Sequence, residues 1–226
     1  MSHILDRPVW NALSTAHAAL SEGNADARRY PPSIVPFTAL AENAPSSALL
    51  TLAAPGEVMA IVEKERADIP AGVSLVSEGA LVQMVADRPF ERISDDRIEP
   101  LTEADAAAML ELATLTKPGP FTLRAQALGT FWGIKHDGRL VAMAGQRMRQ
   151  PGFGELSGLC THPDFQGRGF GKLLFRHVAG EISARGEKAY LHAYATNEPA
   201  IALYKVLGFS LRTTLHVTIL KRDATV

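Results

Sequence analysis

The stretch from Phe153 to Lys188 constrains the fold of this chain more than any other. It opens Phe153-Gly154-Glu155-Leu156-Ser157-Gly158-Leu159-Cys160-Thr161, a short apolar run with Glu155, Ser157 and Thr161 on one parity, which predicts a strand. His162-Pro163-Asp164-Phe165 interrupts it, and Gln166-Gly167-Arg168-Gly169-Phe170-Gly171-Lys172 follows. Leu173, Leu174, His177, Val178 and Ile182 then recur at helical spacing up to Ala184-Arg185-Gly186, where arginine followed by glycine is a helix stop. Strand, glycine-rich turn and helix in that order favour an anion. The first amides of a helix lack internal partners and lie at the positive end of its dipole, and glycines let the backbone close on a phosphate. Arg168 and Lys172 add positive charge at the same place. A pyrophosphate is the expected occupant.

The spacing excludes two common phosphate binders. No Gly-Lys-Ser/Thr closes the turn, so it is no Walker loop, and the dinucleotide fingerprint needs three glycines at other spacings with a later acidic residue. A second signature follows at Asn197-Glu198-Pro199-Ala200-Ile201-Ala202-Leu203-Tyr204-Lys205-Val206-Leu207-Gly208-Phe209. Together these resemble the GNAT superfamily of acyl-coenzyme A-dependent N-acyltransferases. The Leu159-Cys160-Thr161-His162-Pro163 run and the Leu203-Tyr204…Leu207-Gly208-Phe209 ending resemble its FR47-like branch, which includes glycine N-acyltransferase-like proteins. The resemblance spans residues 97–222.

That resemblance implies an α/β (α+β) fold with a mixed, mostly antiparallel central sheet flanked by helices. It implies acetyl-CoA, or another short acyl-CoA, as cosubstrate, and a primary amine attacking directly in a ternary complex. Leu159, Cys160, Thr161, Gln166, Gly167, Arg168, Gly169, Phe170, Gly171, Lys172, Asn197 and Tyr204 are then the residues expected to hold it. Tyr204 matches the tyrosine that family members aim at the sulfur as general acid, and a phenol can donate a proton while uncharged. Glu155 matches a strand glutamate that serves as base in some members; on an apolar strand its pKa is expected to be raised. His192 is the other acid–base candidate, on the neighbouring predicted strand Ala189–Ala195. An amide of the strand at Leu159–Thr161 is the expected oxyanion donor. The same cradle would also serve a non-catalytic acyl-CoA sensor, which binds without releasing thiol; Glu155 and Tyr204 favour the enzyme.

Composition narrows the rest. A net charge of −1 gives no electrostatic case for nucleic acid or an anionic membrane. One cysteine excludes an internal disulfide framework and fits a reducing compartment. No apolar run is long enough for a membrane span and no signal pattern opens the chain, so a cytoplasmic protein, monomer or homodimer, is expected. Cys160 reads as packing, on the parity opposite Glu155, and no histidine spacing suggests a metal.

Residues 1–96 read as an α/β region: a helix over 8–22, a proline-punctuated connector, a short helix at Ala48–Leu52, and strands at Val58–Val62, Gly72–Val76 and Ala80–Val85. The expectation is a degenerate acyltransferase-like half beside a catalytic domain at 97–226, helping to shape the acceptor pocket. Within that domain, Thr102 to Asp105 starts a helix that runs to Leu115, and Asp137-Gly138 between apolar runs signals a hairpin. Lys117, Phe121 and Arg124, in the loop that borders the acceptor in such families, are acceptor-side candidates. Arg124, Arg147 and Arg149 hint at an acceptor carrying a carboxylate, because guanidinium forks suit that group.

Overall fold

The computed structural model describes residues 3–224. The first part holds α1 (Pro8–Ser14), β1 (Glu22–Gly23), β2 (Ala27–Arg29), β3 (Thr38–Leu40), β4 (Val58–Glu63) and β5 (Val73–Ala86). The second holds β6 (Glu99–Leu101), α2 (Ala106–Thr116), β7 (Phe131–His136), β8 (Arg139–Gln150), β9 (Phe153–Thr161) and α3 (Phe170–Ser183), then β10 (Lys188–Tyr194), α4 (Glu198–Val206) and β11 (Phe209–Arg222). The first helix stops short of the predicted span. The Thr15 hydroxyl bonds back to the Asn11 carbonyl at 2.5 Å, and only a 3-10 turn at Ala18–Leu20 follows. The predicted helix at Ala48–Leu52 is likewise a 3-10 turn, Ser46–Thr51.

β1, β2 and β3 form a small sheet, and the other strands form one sheet in the order β4-β11-β5-β10-β9-β8-β7-β6. All its described pairings are antiparallel except β9 with β10. Two predicted strands, Gly72–Val76 and Ala80–Val85, are in fact the single strand β5. It passes through Gly79 without a break, where a Cβ would make only ordinary contact with Val217 at 3.5 Å. β5 lies between β10 and β11, so the regions expected as 1–96 and 97–226 share one sheet. Their connector lies on α3, where a Cβ at Gly180 would come within 2.6 Å of the Glu91 carbonyl.

Leu174, Phe175, Val178 and Ile182 of α3 pack on Met84, Ala142, Ala144 and Leu191 on one face of the sheet. On the other face, Met109 and Leu112 of α2 pack with Leu101, Phe131, Leu140 and Met143. The Asp137-Gly138 turn takes φ of 50° and 78°, the left-handed pair a tight hairpin requires.

Two irregularities shape the centre. β9 and β10 pair only from Lys188↔Phe153 to Tyr190↔Glu155; beyond that, β9 stays with β8 and β10 with β5, and a cleft opens. The β8/β9 register also shifts twice, once at Glu155 and once across Gly158 and Leu159; Gly158 has φ 65°, and a Cβ there would meet the Phe131 ring at 2.7 Å. Leu156 and Leu159, an odd number of residues apart, therefore both pack in the cluster around α3. Cys160, packed against α2, lies on the same face as Glu155, which corrects the parity expected from simple alternation.

Candidate active site

A cavity of about 650 Å³ runs through the cleft. At one end it meets Gln166, Gly171, Thr161, Asn197 and Tyr204. At the other it meets Phe37, Ala60, Val62, Leu81, Val217 and Ile219, roofed by Leu115 to Pro120. Arg147, His192, Ala193 and Tyr194 also line it.

The first end is a helix start. Gly169 caps α3 in the left-handed region at φ 81°, and Leu173 is the first helix residue whose amide is taken up, by the Gly169 carbonyl at 3.0 Å. The amides of Phe170, Gly171 and Lys172 thus lead the helix without an intrahelical partner. A Cβ on Gly167 or Gly169 would meet nothing within 4 Å, and one on Gly171 would touch only Thr161 Oγ1 at 3.5 Å. No packing inside the protein demands glycine at 171; the space beside it belongs to the cavity. Open amides on a long helix with that space fit a pyrophosphate. Arg168 stacks over the Phe165 ring at 4.6 Å, and Lys172 is exposed.

Farther along the cleft, the Asn197 side chain caps α4, accepting from the Ala200 amide at 3.2 Å, and so fixes the helix that carries Tyr204. The Tyr204 ring stacks on Phe175, with centroids 5.6 Å apart, and burial raises its phenol pKa, leaving it a neutral donor. Burial pushes the Cys160 thiol up to about 11, which suits packing rather than nucleophilic attack. Among the described residues no His/Cys/Asp/Glu group could hold a metal ion.

The centre departs from expectation. Glu155 has no solvent exposure and does not line the cavity. Arg147 Nε and Nη2 donate to its two oxygens at 2.9 and 2.6 Å, the Met148 amide donates at 3.2 Å, and His192 Nδ1 lies 2.8 Å from Oε1. Burial alone would raise this carboxyl. The Arg147 charge and hydrogen bonds, together with His192, outweigh it and hold the pKa at about 2. The expected raised pKa is thus reversed, and a carboxylate so held and so placed is a poor proton acceptor. The β8 register shift between Gln146 and Arg149 is what sets Arg147 and the Met148 amide against it.

The contacts continue beyond His192. Its Nε2 lies 2.9 Å from Gln83 Nε2, which also donates to the Leu5 carbonyl at 2.9 Å; Gln83 Oε1 accepts from Arg212 Nε, and Arg212 Nη2 donates to Asp6 at 2.6 Å. Sequence reasoning missed Gln83, Arg212 and Asp6. The one available signal was a glutamine inside the apolar run Ala80–Val85.

Of the acceptor-side candidates, Lys117 and Arg147 line the cavity. Phe121 packs edge-on against Phe131 at 5.5 Å, beside a small adjoining pocket, and Arg124 turns away to Ser33 Oγ at 3.1 Å. Two of the arginines are already paired: Arg147 binds Glu155 through Nε and Nη2 and lies over the Phe37 ring, and Arg149 binds Glu187 through Nε.

The comparisons agree with this fold. Residues 131–217 match the family model for FR47-like protein. The chain is 40% identical to a crystal structure from Novosphingobium aromaticivorans named as a GNAT-family acetyltransferase, with a TM-score of 0.93 over 99% of this chain and 100% of that one. It is 34% identical over 120 residues to the N-alpha-acetyltransferase RimI of Mycobacterium tuberculosis, covering 48% of this chain and 75% of that protein. It is also 42% identical over 59 residues, 26% of its length, to the ribosomal protein bS18-alanine N-acetyltransferase of Salmonella typhimurium, but spans only 40% of that relative.

Proposed function

Because the chain belongs to the GNAT superfamily of acetyltransferases, in its FR47-like branch, we propose that it transfers an acetyl group from acetyl-CoA to a primary amine by direct attack in a ternary complex. One observation carries this reading: a continuous cavity leads from the open amides of α3, past Tyr204, to an apolar chamber on the far side of the cleft. In the transfer a C–N bond forms and the C–S bond breaks, the amine loses a proton, and the departing thiolate gains one. The amides of Phe170, Gly171 and Lys172 hold the diphosphate. The splayed edges of β9 and β10 offer backbone groups to the pantetheine arm and, at Leu159–Thr161, to the oxyanion. Tyr204 donates the proton to the sulfur.

For the acceptor we favour an α-amino group on an apolar residue. The relatives from Salmonella typhimurium and Mycobacterium tuberculosis bear names for acetylating an alanine and an α-amine. Phe37, Val62 and Val217 suit an apolar side chain next to that amine. The charged groups lining the cavity are Lys117 and Arg147, with no carboxylate among the described residues, which disfavours a polyamine. The test incubates the protein with acetyl-CoA and a panel of peptides, amino acids and polyamines while thiol release is followed. Turnover with peptides or amino acids bearing apolar first residues supports the proposal. Acetyl-CoA binding without thiol release from any amine would overturn it in favour of a sensor.

A further inference from the structure

We propose that Gln83 is a positioning residue for acetyl transfer: together with Glu155 it occupies both ring nitrogens of His192, so that the site offers no free side-chain base and accepts only amines that arrive uncharged. The inference rests on the acetyltransferase reading of the same cavity.

Gln83 is fully buried and lies directly opposite His192 in the β5/β10 register. Its amide has one possible orientation, since Arg212 donates to Oε1 while Nε2 donates to the Leu5 carbonyl at 2.9 Å. The second N–H on Nε2 therefore points at His192 Nε2, 2.9 Å away, which must act as acceptor. The single ring proton then sits on Nδ1, where Glu155 Oε1 accepts it at 2.8 Å. Placing a second proton on Nε2 would set N–H against N–H. Turning the amide to relieve this would break its bond from Arg212, which Asp6 anchors at 2.6 Å.

Glu155 is neutralised by Arg147, and Asp6 by Arg212. Tyr190 meets the ring edge-on at 5.6 Å, and Tyr30, near Glu155, is a phenol that burial keeps protonated. Glu155 does not reach the cavity, and His192, which lines it, has both ring nitrogens engaged, Nδ1 with Glu155 and Nε2 with Gln83, so neither is free to take the proton of a bound amine. Selection of the neutral amine follows: the pH dependence of kcat/KM is set by the acceptor's own ionisation, which differs by about two units between α-amines and alkyl amines.

The experiment measures kcat/KM against pH for the best acceptor of the amine panel and for its β-fluorinated analogue, whose amine pKa is lower. The inflection should move by the full difference between the two amine pKa values. In parallel, 15N NMR of the imidazole at the pH of the assay should show Nδ1 protonated and Nε2 acting as the acceptor. Gln83→Glu, which turns a donor into an acceptor, should put a proton on Nε2 and add an inflection that stays put when the acceptor is changed. An inflection shared by both acceptors in the wild-type enzyme, or a protonated Nε2 in its spectrum, would overturn the proposal. The spectrum requires no turnover, so it decides the point even if Gln83→Glu does not fold or no amine is acetylated, and the latter result would count against the acetyltransferase reading instead.

Discussion

The two ends of the cavity are built in opposite ways. The cradle comes from one contiguous strand, turn and helix, residues 153–183, and its geometry follows from local chain physics. The acceptor end takes Phe37 from a connector, Val62 from β4, Leu81 from β5, Arg147 from β8, His192 from β10 and Val217 from β11. No two of these are neighbours in sequence. Under the proposed function, the acyl donor is handled by one segment, whereas the acceptor is handled by the assembled sheet.

That contrast is sharpest at the acceptor end. Arg147→Met leaves the Glu155 carboxylate buried without its cation, and about 3–5 kcal/mol of stability should be lost, read from denaturant midpoints. An unchanged midpoint would break the comparison, because the assembled end would then not depend on its central pair. Tyr204→Phe removes the proposed proton donor while keeping the ring on Phe175; kcat should fall about 100-fold with little change in KM for acetyl-CoA. Gly171→Val tests the local end. It puts side-chain carbon into cavity space, where a Cβ makes only ordinary contact with Thr161, so calorimetry should find acetyl-CoA affinity reduced about 10- to 100-fold in a chain that unfolds near the wild-type midpoint. Phe37→Ala should act weakly and on one side only: acceptor KM rises by about 5-fold while KM for acetyl-CoA holds, in keeping with the modest strength of one aromatic wall and its contact with Arg147.

The same division explains what could be read from the chain alone. The strand, glycine-rich turn and long helix of 153–183, the Asp137-Gly138 hairpin and the helix bearing Tyr204 are local patterns, and each lies where its residues predicted. The Glu155 pKa was not legible. An apolar strand argues for a raised value, and only the β8 register shift reveals that Arg147 closes on the carboxylate. Cys160 was misplaced for a related reason: alternation along β9 breaks at Gly158, where the chain takes φ 65° beneath Phe131. β5 posed a third difficulty, since both of its neighbours lie far downstream and no local periodicity names a distant partner. The arginine pairings were hidden for the same reason, since the sequence does not show that Arg147 and Arg149 already hold Glu155 and Glu187.

The position of β5 also bears on how the protein is made. A strand complete at residue 86 waits for flanking strands that emerge at 188–194 and 209–222, so during synthesis both of its edges stay open until the second half has left the ribosome. Late closure of this kind makes the nascent chain prone to aggregation through that strand, and slow translation before residue 209 would lengthen the exposure.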